Sequence, residues 1–532
     1  MRNFVRGKGH RPASWAVALA CLVAMESIGA VAIGAEAPAL QATLIVHTDQ
    51  PVAVIDPDIY GQFAEHLGQG IYGGLWVGKN SPIPNTRGFR NDVVRALREL
   101  GVPVVRWPGG CFADQYHWRD GIGPQGKRPV RVNVSWGGVE ETNAVGTHEI
   151  MDLMEMLGSK IYLDTNVGTG SPQETKDWLE YMTSPTHSAL AEERRRNGRK
   201  APWRVDYLGF GNEAWGCGGH MRPETYSDLY HRFATYAITP VSGVPKRLAA
   251  GGYDGDTTWT EALLAGDKAQ DIDAITLHHY ALPTGDWKIK GAATGFGEDQ
   301  WISTMHAALD LDRDVAAHAA VMDKYDPEKR VALDIDEWGN WYDVARDTNP
   351  GFLRQQNTLR DAVTAALNFN IFHAHADRVR MANIAQMANV LQALVLTDGA
   401  RMVLTPTYYA FMIYKPFRGA TALGAALSVP DYRYDGVAVP ALSASAAREP
   451  DSAIAIALVN LAPHIRAHVA IVVPARTVSG VILTADAMDA HNTFDAPDTV
   501  VPAAFHEVAV VSGGLTVDIP AKSVVVLEVN EP

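Results

Sequence analysis

Eight short apolar, β-branched runs alternate with amphipathic stretches between residues 58 and 415, and this alternation constrains the chain most. The runs are IYGQFAEH (59–66), VPVVRWPGG (102–110), KIYLDTNVG (160–168), VDYLGFGNE (205–213), RLAAGG (247–252), DAITLHHY (273–280), RVALDIDEW (330–338) and VRMANIAQM (379–387). Strands that alternate with helices build parallel βαβ units. Eight units predict a (β/α)8 barrel. A doubly wound sheet is the alternative, but it would carry a GxGxxG turn after its first strand, and none is there. In FRNDVVRALRELG, Asn91 or Asp92 is the expected N-cap. Val93, Val94, Leu97 and Leu100 share one face, and Gly101 is the stop signal.

After Gly419 the pattern changes to short strands without helices between them, such as SAIAIALVNLAP (452–463), RAHVAIVVPA (466–475), SGVILTAD (479–486) and KSVVVLEVN (522–530). These predict an antiparallel, jelly-roll-like β-sandwich. The strand-like stretch 42–56 precedes the barrel and is expected to pair into that sandwich. The expected organisation is a signal peptide over 1–35, N-terminal strand(s) over 36–57 joining the sandwich, a catalytic barrel over 58–415 and the sandwich over 416–532.

The signal reading rests on Arg2, Arg6, Lys8 and Arg11, then the apolar run Trp15–Met25 and small residues up to Ala35, with Glu26 as a flaw in the apolar segment. It predicts secretion or periplasmic export, with no stable membrane anchor. With 46 Lys+Arg against 60 Asp+Glu, the formal charge is −14, which counts against nucleic acid or an anionic membrane as partner. Three cysteines, Cys21, Cys111 and Cys217, make no disulfide framework and no CxxC metal knuckle.

The chemistry gathers at the strand ends, which is the catalytic face of such a barrel. The first run ends in Glu65 and His66, the second in Arg106, Trp107 and a Pro-Gly-Gly-Cys turn, the third near Asn166, and the fourth in Asn212 and Glu213. The sixth ends in His278, His279 and Tyr280, the seventh in Asp336, Glu337 and Trp338, and the eighth near Gln386. Buried polar groups need partners, so seven polar strand ends together mark a site. Glycoside hydrolysis needs two carboxylates, one to protonate the leaving oxygen and one to attack or to activate water. Glu213 and Glu337, from the fourth and seventh runs, are the expected pair, with Asn212 placed for a sugar hydroxyl and Trp338 as a wall. Adjacent His278 and His279 point to opposite faces of their strand and cannot share a metal ion, so neither metal nor cofactor is expected. The RRR cluster (194–196) reads as a solvated face.

The segments GQFAEHLGQGIYGGLWVG (61–78), RWPGGCFADQYHWRDGIGP (106–124), LGFGNEAWGCGG (208–219), LHHY (277–280), DIDEWGNWYD (334–343) and NIAQMANVLQ (383–392) resemble the α-L-arabinofuranosidases of glycoside hydrolase family 51. The resemblance runs from about residue 42 to the C-terminus. It implies Glu213 as general acid/base and Glu337 as a nucleophile that forms a covalent arabinofuranosyl-enzyme. It implies Glu65 as a carboxylate for ring hydroxyls, Arg106 and Cys111 at the pocket floor, and Asn212, His278, Tyr280 and Gln386 as further pocket residues. Trp136 and Trp341 are implied to shape the entrance. Cys111 and Cys217 both follow catalytic-face strands and could be bridged; because the resemblance assigns Cys111 to the pocket, they are read as two buried thiols. The implied partner is an arabinofuranosyl oligo- or polysaccharide such as arabinan or arabinoxylan, and homo-oligomers are frequent in the family. The stretch 184–200 is where leaving-group preference is expected to be set. A β-xylosidase or endo-glucanase on the same scaffold, and a non-catalytic carbohydrate-binding protein, are the alternative functions.

Overall fold

The computed structural model describes residues 39–239, 245–266 and 268–532. The signal-peptide reading over 1–35 therefore lies outside the described residues. Eight parallel strands close a barrel in sequence order: Gly61–Phe63, Val104–Trp107, Lys160–Thr165, Tyr207–Phe210, Lys246–Ala249, Ala274–Ala281, Ala332–Asn340 and Val379–Ile384. Each overlaps one of the eight apolar runs, and three extend one or two residues beyond it. Such strands are covered on both faces, so they read as continuous apolar stretches. Inside, Val104, Tyr162, Tyr207, Leu248, Ala274, Ala332 and Met381 form one packed layer that floors the barrel. Two residues further along their strands, Arg106 and Asp164 form a polar layer above that floor.

The helix Asn91–Leu100 buries Val93, Ala96, Leu97 and Leu100 and ends where Gly101 turns left-handed at φ 73°. Its N-cap is Arg90, not Asn91 or Asp92. Asp92 is drawn inward instead, because its carboxylate receives Arg90 Nη2 at 2.8 Å and the Val93 amide at 2.9 Å.

The second layer is a ten-stranded sheet in the order Ala503–Ala504, Thr477–Leu483, Ser523–Asn530, Ile454–Asn460, Leu442–Arg448, Thr421–Ser428, Leu40–Val54, Ala467–Val472, Gly514–Ile519, Val508–Val511. Strands Thr477–Leu483 and Val508–Val511 pack together although they stand near opposite ends of that order, so the sheet rolls over one core. It is not purely antiparallel: Leu40–Val54 runs antiparallel to Thr421–Ser428 and parallel to Ala467–Val472.

Strand Ile454–Asn460 shows how the barrel and the sheet share a boundary. Ile454, Ile456 and Leu458 face the sheet's own core. Ala455, Ala457 and Val459 face the larger core that contains the barrel. Alternation makes both faces of this strand apolar, and its small residues let helix Leu359–Ala374 approach. That helix is locked by His373 Nδ1 to Ser445 Oγ at 2.8 Å and by Asn370 Nδ2 donating to Ser443 Oγ at 3.0 Å. No helix among the described residues is long and apolar enough to cross a membrane.

Candidate active site

A register shift between the sixth and seventh barrel strands builds the centre of the site. Thr276 pairs with Asp334, but His278 pairs with Glu337, so the seventh strand holds one extra residue. A bulge of this kind re-aims side chains. Asp336 and Glu337, although adjacent, both reach the interior. Trp338 turns outward, fully buried against Phe369, Phe372 and Phe411. The expectation that Trp338 walls the site is therefore corrected: it is core.

Arg106, fully buried, organises the carboxylates. Its Nη1 donates to Glu337 Oε1 at 2.8 Å, and its Nη2 to Asp164 Oδ2 at 3.0 Å and Asn212 Oδ1 at 2.6 Å. Its Nε lies 3.3 Å from Asp336 Oδ2. A guanidinium suits this work, because its planar fork serves several acceptors and stays charged. Burial works against ionised Asp336, but Arg106, His278 and the Tyr162 hydroxyl outweigh it and hold its pKa below the ordinary value.

Glu337 is held at both oxygens, since Tyr280 donates to Oε2 at 2.7 Å. Glu213 sits at a left-handed φ of 42°, and its Oε1 meets His278 Nδ1 at 2.9 Å. The same Nδ1 lies 3.6 Å from Glu337 Oε2, and His278 Nε2 lies 3.2 Å from Asp336 Oδ1. Burial opposes a charged imidazole here, but Glu337, Asp336 and Glu213 raise its pKa well above the ordinary value. Oxygens of Glu213 and Glu337 fall within 4.8 Å of one another.

Glu65 accepts from the Phe112 amide at 3.0 Å, from Trp136 Nε1 at 2.7 Å and from Gln386 Nε2 at 3.2 Å. Burial, then the charge of Glu337, pushes its pKa up to about 7. Asp114 fixes the fourth strand's end: it receives the amides of Asn212, Val167 and Gly168 at 2.8 to 2.9 Å.

These groups line two connected hollows. The inner pocket is walled by Glu65, Cys111, Trp136, Asn212, Glu337 and Gln386, together with Glu213, Tyr280 and Trp341. The outer cavity, 370 Å³, shares Glu213, Tyr280 and Trp341 with it and adds His278, Trp215, Tyr253, Asp254 and Trp287. Every site residue expected from the sequence lines one of the two except Arg106, which lies beneath them, bonded to Glu337 and Asn212. Trp215, Tyr253, Asp254 and Trp287 were missed. Trp215 follows Glu213 by two residues, and Tyr253-Asp254 follow the fifth run, whose end carried no polar signal. The stretch 184–200 adds nothing to either hollow. It forms helix Ala189–Arg196 against helix Pro172–Thr183, and Arg194 is not solvated but buried, donating to the Tyr181 carbonyl at 2.7 Å.

The two-thiol reading of Cys111 and Cys217 is also corrected. They form a disulfide, with Cα atoms 5.6 Å apart across 106 residues of sequence. Closure of the barrel brings the loops after the second and fourth strands together, which sequence distance conceals, and Cys217 is exposed rather than buried. Its Sγ lies 3.5 Å from Glu213 Oε2. Two other triads place donor atoms within 4.8 Å of one another, Glu213–His278–Glu337 and Asp254–His279–Asp314. As the alternation predicts, His278 and His279 belong to different ones.

A barrel whose mouth presents two carboxylates this close, one of them gripped by an arginine and a tyrosine, is the apparatus of a glycoside hydrolase. Residues 96–285 match the family description "Alpha-L-arabinofuranosidase 1 domain", and residues 336–523 match "Alpha-L-arabinofuranosidase C-terminal domain". An intracellular exo-α-L-arabinofuranosidase of Bacteroides ovatus is 48% identical over 92% of this chain and 96% of its own length. The α-L-arabinofuranosidase C of Emericella nidulans is 32% identical over 75% and 78%. The crystal structure of the GH51 arabinofuranosidase from Xanthomonas axonopodis pv. citri superposes with a TM-score of 0.90 at 51% identity, covering 92% of this chain and all (100%) of the other. The chain belongs to glycoside hydrolase family 51, the α-L-arabinofuranosidases. The expectation of secretion or periplasmic export is corrected by the Bacteroides relative, which is named intracellular. That expectation rested on a local pattern of basic, apolar and small residues, with Glu26 interrupting the apolar segment.

Proposed function

We propose that this protein is a retaining, exo-acting α-L-arabinofuranosidase, releasing terminal α-L-arabinofuranosyl groups from arabinan, arabinoxylan or their oligosaccharides. The observation that carries the reading is the junction of the two hollows. Glu337 and Glu65 line only the inner one, whereas Glu213 lines both. A furanosyl ring seated in the inner pocket has its glycosidic oxygen at that junction, beside Glu213, and its anomeric carbon toward Glu337.

In the first step a Glu337 oxygen bonds to the anomeric carbon as the bond to the leaving oxygen breaks, and Glu213 gives its proton to that oxygen. In the second, Glu213 takes a proton from water, the water oxygen attacks the anomeric carbon, and the Glu337 ester bond breaks. Arg106 and Tyr280 keep Glu337 oriented before attack. Glu65 and Gln386 are assigned to ring hydroxyls, Asn212 to the neighbouring hydroxyl, and Trp136 and Trp341 to the entrance. Cys111, now bridged, closes one side of the pocket. The barrel over 58–415 is the catalytic unit, and the sandwich over 416–532, with the N-terminal strand, buttresses it.

Hydrolysis of 4-nitrophenyl α-L-arabinofuranoside beside the β-D-xylopyranoside and debranched arabinan tests the reading. Strong preference for the arabinofuranoside, with slow internal cleavage of arabinan, is expected. Preference for the xyloside or rapid internal cleavage would contradict it.

A further inference from the structure

The outer cavity holds one carboxylate that the reaction does not use. Asp254 follows the fifth barrel strand, and 41% of its side chain is exposed. It is fixed from three sides. Its amide donates to the His278 carbonyl at 3.1 Å, its carbonyl meets His318 Nε2 at 2.8 Å, and its Oδ1 meets His279 Nδ1 at 3.1 Å. The backbone is left-handed, at φ 45°.

His279 is charged on geometric grounds. Its Nε2 lies 3.0 Å from the Ala307 carbonyl, which only accepts, so Nε2 carries a hydrogen. Its Nδ1 faces the carboxylates of Asp254 and, at 3.5 Å, Asp314, and carries the other. Burial opposes this charge, but the two carboxylates raise the pKa to about 9. Asp314, its side chain 2% exposed, already supplies a buried counter-charge. Asp254 is thus more than a counter-ion: its Oδ2 takes no hydrogen bond among the described residues. Beside it, Tyr253 packs on Trp215 with ring centroids 5.0 Å apart, forming an aromatic platform on the leaving-group side of Glu213. A volume of 370 Å³ lies within the range of about 300–1,000 Å³ usual for small-ligand sites.

We propose that Asp254 sets leaving-group specificity: its free oxygen accepts a hydrogen bond from a hydroxyl of a neutral sugar packed on Trp215 and Tyr253, and its charge excludes leaving groups that bear a carboxylate. This rests on the arabinofuranosidase reading above and narrows its substrate class.

The test uses α-L-arabinofuranosides of 4-hydroxyphenylacetamide and 4-hydroxyphenylacetate, whose phenol leaving groups are alike but whose charges differ. The native enzyme should prefer the amide in kcat/KM, less so at high salt. Asp254→Asn should narrow that preference by roughly five- to tenfold, as expected for removing one partly exposed charge. Asn tolerates the left-handed backbone. Asp254→Gly, which accepts that φ freely, should narrow it equally and raise KM for a neutral arabinosyl-xylo-oligosaccharide several-fold. An amide-to-acid ratio unchanged in both variants, or an unchanged oligosaccharide KM in Asp254→Gly, would overturn the inference while leaving the arabinofuranosidase reading intact. No turnover of either aryl arabinofuranoside by the native enzyme would overturn the functional reading and this inference with it.

Discussion

A carboxylate oxygen of Glu213 lies within 4.8 Å of one of Glu337, with His278 Nδ1 touching both side chains. Retaining enzymes hold their two carboxyl groups about 5–5.5 Å apart, whereas inverting ones leave about 6.5–9.5 Å for a water. The close approach here matches the retaining arrangement rather than the wider inverting one.

The two carboxylates should separate by their variants. Glu337→Ala should lose nearly all turnover, and added azide should give the β-arabinofuranosyl azide by a single inverting attack. Glu213→Ala should lose roughly 10²–10⁴-fold on alkyl arabinosides and far less on nitrophenyl ones, which need little protonation. With azide it should give the α-azide. Equal losses on both substrates, or azides of the opposite configuration, would reverse or remove the assignments.

Arg106→Lys should be far from conservative. Lys cannot reach Glu337, Asp164, Asn212 and Asp336 together, so buried acceptors lose partners. Breaking a buried ionic cluster costs about 3–5 kcal/mol. Denaturant unfolding should show a loss of that order, with kcat falling more than KM rises. A variant within about 1 kcal/mol of the native stability would contradict the role given to Arg106.

Glu65 carries a pH signature. Its pKa rises from 4.5 to about 7 on folding, chiefly by burial. Between those values the folded state binds more protons than the unfolded one, so its contribution is full below about 4.5 and is lost as pH rises through about 7. Glu65→Gln removes this dependence. The stability of the variant relative to the native protein should therefore climb between pH 4.5 and 7, by up to about 3 kcal/mol, and level off above. A flat difference across that window would contradict it.

The disulfide closes a long loop between two barrel strands, and removing such a bridge typically costs about 2–4 kcal/mol. Cys217→Ser should lower the melting temperature by several degrees. Dithiothreitol should bring the native protein to the same value and leave the variant unmoved. A native protein insensitive to reductant would contradict the bridge.

The barrel was legible because strands covered on both faces are predominantly apolar, and eight such runs alternate with amphipathic stretches. The polar strand ends were legible for the converse reason, since buried polar atoms need partners. What the sequence hid depended on geometry between strands. The extra residue in Ala332–Asn340 shows only against its neighbour, and it turns Trp338 into core while bringing Asp336 beside Glu337. Cys111 and Cys217 meet only once the barrel closes. Arg106 was implied for the pocket floor; its grip on Glu337, Asp164 and Asp336 shows only once strand register brings those carboxylates together. The outer cavity escaped because Tyr253, Asp254 and Trp287 stand on loops without periodicity.

Proton NMR of the first-formed product tests the central claim most directly. With 4-nitrophenyl α-L-arabinofuranoside as substrate, direct attack by Glu337 followed by water from the same face predicts α-L-arabinofuranose before mutarotation, and methyl α-L-arabinofuranoside when methanol is added. The β-anomer appearing first, with no transfer to methanol, would mean that a water attacks in place of Glu337 and would contradict the account.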